Sequence, residues 1–253
     1  SSMPPPPPPP PMSPPPGYVA YGDPGAASGT FKRIGGLTKA LVTLSLIAIV
    51  ANALSVLVQL GLRTAARDYR QGAITSTQFA DKLGPYLAVS ALAGSLALAV
   101  LVVQIIWVHR MANNLKVLRR QGQSFSPGAT IAINILGGCT LGILPYFMWR
   151  ELWKGSDPSS PPGDPTWKQR RVGQVVHIWL AATLVTVAAS IGLGVGNAIT
   201  RINRGSNTSL AKQLDTQFGF VALAGVFGII TTGIFVGLVR QLAARHMRSI
   251  NER

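Results

Sequence analysis

The chain has 253 residues, of which 47% are hydrophobic and only 12% are charged, and its net charge is +15. A soluble domain has about 25% charged residues, so this composition excludes an ordinary soluble globular protein. The basic residues lie between apolar segments without interleaved aromatic residues, and we therefore expect no nucleic-acid partner.

The first predicted segment is a proline-rich tail over residues 1–35. Prolines fill most of Pro4–Pro16, and small residues with several glycines follow them. Proline at this density favours polyproline II and cannot form a core. We therefore expect a disordered tail, and the alternative is that Pro4–Pro16 dock a cytoplasmic proline-binding partner.

Four apolar segments are long enough to cross a membrane as helices, because each exceeds the roughly 20 residues that span about 30 Å of hydrocarbon. None of them contains Asp, Glu, Lys or Arg. The pattern predicts an all-α, polytopic helical membrane protein with one helix pair in 36–120 and a second in 172–253. The two pairs resemble each other weakly, as VSALAG resembles FVALAG. The four segments are Ala40–Leu62, Pro85–Trp107, Val172–Thr200 and Thr216–Val239.

A fifth apolar stretch, residues 127–148, is interrupted by glycine and proline. Glycine and proline interrupt the hydrogen bonds of a helix and leave backbone groups unpaired. At membrane depth such groups are tolerated only where protein covers them or where they line a wet cavity. If the stretch crosses, Lys and Arg divide ten against thirteen between the two sides, and if it re-enters they divide sixteen against seven. Cytoplasmic loops carry the excess of Lys and Arg, so re-entry is favoured and five crossings are the alternative.

This topology sets the remaining boundaries. We expect a re-entrant or broken segment within 121–156 and a Pro/Gly-rich linker over 157–171. Both termini would then lie in the cytoplasm, with the chain in the plasma membrane.

Few residues offer chemistry. Cys139 is the only cysteine and the three histidines are scattered, so we expect no enzyme, no cofactor and no metal site. A candidate polar pocket, closed by the broken segment, faces the cytoplasm and includes an Arg110–Glu151 pair. Its residues are Arg110, Asn114, Asn134 and Glu151.

Aromatic and basic residues around the broken segment predict contact with the membrane interface. Trp149 and Trp153 are four residues apart and share a helix face, which is typical of a helix at headgroup level. Arg150 and Lys154 would then reach anionic lipid headgroups. The candidate lipid-contact residues are Trp107, Trp149, Arg150, Trp153 and Lys154.

Small residues four apart predict close contacts between helices. With no ionisable residue in the middle of a span, they favour a non-enzymatic scaffold or accessory subunit, bound to another membrane protein or to a second copy. A channel or small-solute transporter using 127–148 is one alternative, and an anionic-lipid binding or handling protein is another. The small-residue pairs are Ser90 and Gly94, Gly192 and Gly196, and Gly233 and Gly237.

The central block contains WVHRMANN at 107–114, FSPG at 125–128 and PYFMWRELW at 145–153. It resembles the DUF4328 family of actinobacterial membrane proteins, which has W-x-x-R-x-x-x-N, then S-P-G, then P-Y and a Trp-bearing helix. Family members often carry proline-rich N-terminal tails. The chain departs from the family at 130–141, which lacks the family's tryptophans and second proline. The resemblance implies a helical bacterial membrane protein and, because the family's function is unknown, no activity.

Overall fold

The computed structural model describes residues 29–201 and 207–252, without the side chains of residues 192–210, 213 and 217. Residues 1–28 of the proline-rich tail, including Pro4–Pro16, therefore lie outside the described residues. Within them the chain is helical and has no strand, which confirms the all-α prediction. The six α-helices are α1 (Gly35–Arg70), α2 (Ser76–Val117), α3 (Pro127–Leu136), α4 (Ile143–Gly155), α5 (Gln174–Arg201) and α6 (Asn207–Ser249).

Four of these helices, α1, α2, α5 and α6, are long and apolar enough to span a membrane. α1 packs against both α2 and α6, and α5 packs against the other side of α6. Large apolar side chains on the bundle face outwards, and Leu57 and Leu98 are 62% and 64% exposed. Exposure of this kind is unfavourable in water and is matched by lipid. The polytopic membrane fold predicted from the sequence is confirmed.

Both ends of the described chain meet at one end of the bundle, which we call the terminal end. The carboxylate of Glu252 accepts hydrogen bonds from the backbone N–H groups of Ile34 (3.0 Å) and Gly35 (2.9 Å). The first N–H groups of a helix lack partners within the helix, and a negative charge there is also favoured by the helix dipole. The C-terminus therefore caps the start of α1.

Charge holds the opposite end of the bundle together. Asp215 on α6 contacts Arg63 (3.4 Å), Arg67 (2.7 Å) and Arg70 (2.9 Å) on α1. The three arginines are three and four residues apart, so they share one face of α1. The hydrogen bond from Arg67 keeps the pKa of Asp215 below its usual range, although desolvation acts in the opposite direction.

The broken segment forms a helical hairpin, which consists of α3, a 3-10 turn at Gly137–Thr140, and α4. The chain reverses at Leu141 and Gly142, which have φ angles of 52° and 81°. Positive φ angles favour glycine, which explains a glycine at the second position. At the entrance, Ser126 caps α3 by accepting a hydrogen bond from the N–H of Ala129 at 3.2 Å.

The hairpin returns to the end from which it starts. The N–H groups of Ser124 and Phe125, just before α3, donate to the Glu151 carboxylate near the end of α4, at 3.0 and 3.1 Å. At the tip, a Cβ on Gly142 would lie 2.9 Å from the Thr183 side chain. Thr183 lies about 14 Å from the start of α5, at a rise of 1.5 Å per residue. This distance is roughly half of a 30 Å hydrocarbon layer. The stretch therefore forms a hairpin that starts and ends at the same end of the bundle, as a re-entrant segment would.

Candidate functional site

Asn114 on α2 binds the backbone of the segment that precedes α1. Its Oδ1 accepts the N–H of Lys32 at 2.7 Å, and its Nδ2 donates to the carbonyl of Lys32 at 2.9 Å. Arg110, one turn earlier, donates to the carbonyl of Arg33 at 3.0 Å. We call residues 29–34 the strap, because side chains of other elements hold this segment by its backbone at the terminal end of the bundle.

Asn114 also sets the protonation of His246 on α6. Its Nδ2 contacts Nε2 of His246 at 3.1 Å. The two hydrogen bonds with Lys32 determine which end of the Asn114 amide is the donor, so Nε2 of the histidine must accept. The proton of the neutral ring then lies on Nδ1, which donates to Oγ of Ser156 at 2.8 Å.

Ser156, His246 and Asn114 do not form a catalytic arrangement in which the histidine acts as the base for a serine nucleophile. The histidine nitrogen facing Ser156 carries a proton and cannot accept the one on the hydroxyl. All three residues are also 0% exposed. The set joins the end of α4 to α6, α2 and the strap. Sequence reasoning missed it because its members lie on three separate helix ends and no local spacing relates them.

The structure does not bring the four residues of the predicted polar pocket together. Asn134 lies deeper in the hairpin, where it accepts from Gln104 at 2.6 Å and donates to the carbonyl of Thr130 at 2.7 Å. The expected pair between Arg110 and Glu151 does not form, because each binds the backbone of a different segment: Arg110 the strap, and Glu151 the loop before α3. Only Arg110 and Asn114 act on the same element.

The prediction that the three tryptophans contact lipid is wrong, because all three side chains are buried in the protein. Trp107 and Trp149 are 0% exposed, and Trp153 is 8% exposed. Trp149 packs edge-on against Trp179 and Phe235, with ring centroids 6.1 and 6.2 Å away. The physical reason is that the hairpin inserts between α2, α5 and α6, so the tryptophan face of α4 meets protein.

The predicted small-residue contacts are not found where the structure describes them. A Cβ on Gly94, Gly233 or Gly237 would meet nothing within 4 Å, and Ser90 is only half-buried. Gly192 and Gly196 lie outside the residues whose side chains are described. Close approach occurs instead at Gly225, where a Cβ would lie 2.6 Å from Cγ2 of Val56.

A buried arginine folds the linker onto the hairpin. Arg120 is 3% exposed and donates to the backbone carbonyls of Gly155 (3.1 Å), Ser160 (2.9 Å) and Pro161 (2.8 Å). A guanidinium suits this position because it carries five donors in a planar fork. These contacts attach the linker to the end of α4.

An ion pair attaches the same linker to α6. A carboxylate oxygen of Asp157 lies 2.6 Å from a guanidinium nitrogen of Arg245. Burial alone would raise the pKa of Asp157, but hydrogen bonds from Ser159 and the charge of Arg245 outweigh it and lower the pKa. The carboxylate is therefore favoured in the folded chain.

A pocket of about 370 Å³ opens at the mouth of the hairpin, and three of its side chains are cationic. Its one carboxylate, Glu151, already accepts two backbone hydrogen bonds. The Arg150 guanidinium lies over the rings of Tyr146 and Phe147, 5.5 and 5.7 Å from their centroids. We call this the mouth pocket, and its lining residues are Ser124, Phe125, Phe147, Arg150, Glu151, Lys154, Trp167 and Lys168.

Comparison with known proteins assigns the chain to a family without assigning an activity. A family model described as a domain of unknown function, DUF4328, matches residues 68–244, from the end of α1 into α6. No curated protein and no solved structure matches the chain. The matched range includes the hairpin, the linker, and Arg110 and Asn114, two of the residues that hold the strap. The chain belongs to the DUF4328 family.

Proposed function

We propose that this chain is a multi-pass plasma-membrane protein that acts as a non-enzymatic scaffold or accessory subunit. The observation that carries the proposal is the strap. Asn114, Arg110 and Glu252 bind backbone groups of residues 32–35, so the sequence upstream leaves the bundle from one fixed point. A tail fixed in this way would present Pro4–Pro16 to a cytoplasmic proline-binding partner.

The cytoplasmic placement of the terminal end rests on charge. Sixteen of the 23 Lys and Arg residues lie in the segments on the side of the strap, the linker and the hairpin mouth. The positive-inside rule places such segments in the cytoplasm. The proline tail and the C-terminus would then both face cytoplasmic partners.

Buried polar side chains form hydrogen bonds within the protein, which supports a structural role. Asn114, His246 and Ser156 bond one another and the strap, and Asn134 is bonded to Gln104 within the hairpin. This favours a scaffold over an enzyme, and over a channel that passes solute along the hairpin. The open space at Gly94 would also admit a helix of another membrane protein or of a second copy.

The test is to compare the particle mass of the chain, extracted from its native membrane in mild detergent, with that of three variants. We expect the full chain and Asn113→Leu to run with a partner in fixed ratio. Deletion of residues 4–16 should remove that partner, and Asn114→Leu, which releases the strap, should reduce it. A chain that runs alone in all four forms, or that moves solute by itself in liposomes, would sink the proposal.

A further inference from the structure

The three cations of the mouth pocket outnumber its one carboxylate, Glu151. Among the described residues, Arg150, Lys154 and Lys168 form no ion pair. Lys154 donates to a backbone carbonyl, that of Lys168, at 2.7 Å. Nε of Arg150 is buried and has no hydrogen-bond partner in this part of the chain. The pocket therefore has an excess of positive charge and suits a ligand that accepts hydrogen bonds and carries negative charge.

One face of α4 changes from apolar to cationic along its length. Ile143, Phe147, Arg150 and Lys154 follow one another at spacings of four, three and four residues, so they lie on one face of the helix. Ile143 and Phe147 are 47% and 44% exposed and lie on the side of the hairpin tip. The cations lie at the mouth, where the hairpin leaves the membrane.

We infer that this face and the mouth pocket bind one anionic phospholipid of the leaflet on the terminal side. Its phosphate would contact Arg150, Lys154 and Lys168, and an acyl chain would lie along Ile143 and Phe147. A guanidinium and two ammonium groups match a phosphate in charge and in hydrogen bonds. The apolar half of the face points to a lipid source for that phosphate, because a free anion gains nothing from exposed Ile143 and Phe147.

The first experiment counts bound lipids by native mass spectrometry, with the full chain in detergent and an equal mixture of phosphatidylglycerol and phosphatidylcholine. A cation near an anionic headgroup changes affinity by about fivefold, so Arg150→Gln with Lys154→Gln should weaken phosphatidylglycerol binding by about 30-fold. The control, Lys116→Gln with Arg171→Gln, removes the same charge from exposed positions outside the pocket and should retain the lipid. Equal retention in both double variants would overturn the inference.

A second comparison separates a lipid from a free anion. Phe147→Ser should weaken phosphatidylglycerol binding several-fold and leave the binding of inorganic phosphate unchanged. Inorganic phosphate that displaces the lipid from the wild-type chain at millimolar concentration would instead identify a site for a soluble anion. If the double variant fails to fold, Lys168→Gln on the linker is measured in its place. A loss of phosphatidylglycerol affinity of about fivefold would support the inference, and no loss would overturn it.

Discussion

Replacement of Asn114 by leucine removes the side chain that binds the strap while nearly keeping its volume. Three groups lose their partners: the N–H and the carbonyl of Lys32, and Nε2 of His246. An unsatisfied buried polar group costs about 1–3 kcal/mol. Water can reach Lys32, which is exposed, so its two losses fall near the lower value, whereas Nε2 of His246 is buried and stays unsatisfied. We expect the free energy of unfolding to fall by about 4 kcal/mol.

The same variant tests whether the strap opens as one unit. The N–H groups of Ile34 and Gly35 are bound by Glu252 and not by Asn114. Loss of two hydrogen bonds of about 1 kcal/mol each from the strap should accelerate their hydrogen exchange by about 30-fold. The assay is hydrogen exchange followed by mass spectrometry in nanodiscs.

The matched control is Asn113→Leu, one position away. Asn113 donates to the carbonyl of His109 in its own helix, at 2.9 Å, so exchange at Ile34 and Gly35 should stay at the wild-type rate. If Asn114→Leu also leaves both exchange rates and the unfolding free energy unchanged, the strap is not held as described and the reasoning is refuted.

Three further predictions concern stability in detergent. Arg120→Met leaves the carbonyls of the linker unpaired and should lower the free energy of unfolding by about 3 kcal/mol, measured in a denaturant titration. A change within experimental error would contradict the role of this arginine. Because the pKa of Asp157 is lowered, its carboxylate stabilises the folded chain at pH values above the ordinary pKa of 3.8. This stability is lost as the pH falls through the lowered pKa, so Asp157→Asn should flatten the acid side of a plot of melting temperature against pH. Gly225→Ala places a Cβ 2.6 Å from Val56 and should lower the melting temperature, whereas Gly94→Ala meets open space and should not; equal shifts would count against this packing.

The spans and the hairpin were predictable because their signals lie along the chain. Length and the absence of charge mark α1, α2, α5 and α6. The glycines and Pro145, with the distribution of Lys and Arg, marked the stretch that forms the hairpin. None of these signals depends on knowing which residues meet in space.

The direction in which α4 faces was not predictable in the same way. In water, an apolar stripe marks the buried face of a helix. In a membrane both faces are apolar, so the spacing of Trp149 and Trp153 identifies a common face without telling whether lipid or protein covers it. The frequency of tryptophan at interfaces favoured lipid, and the structure buries both rings.

Asn114 shows a second limit, that of distance along the chain. Its partners, Lys32 and His246, lie 82 and 132 residues away. Neither has a motif around it, and the contacts exist only because α1 begins at the end of the bundle where α2 and α6 end. A strap of six residues before the first span carries no signal of its own.

The half-depth hairpin gives the molecule unequal width across the bilayer. In a membrane spanned by α1, α2, α5 and α6, the half nearer the terminal end also contains α3 and α4, and the other half does not. Each helix is about 10 Å across, so the described chain displaces about half as much area again from one leaflet as from the other. The protein is therefore a wedge, and it fits best where the membrane is convex on the terminal side.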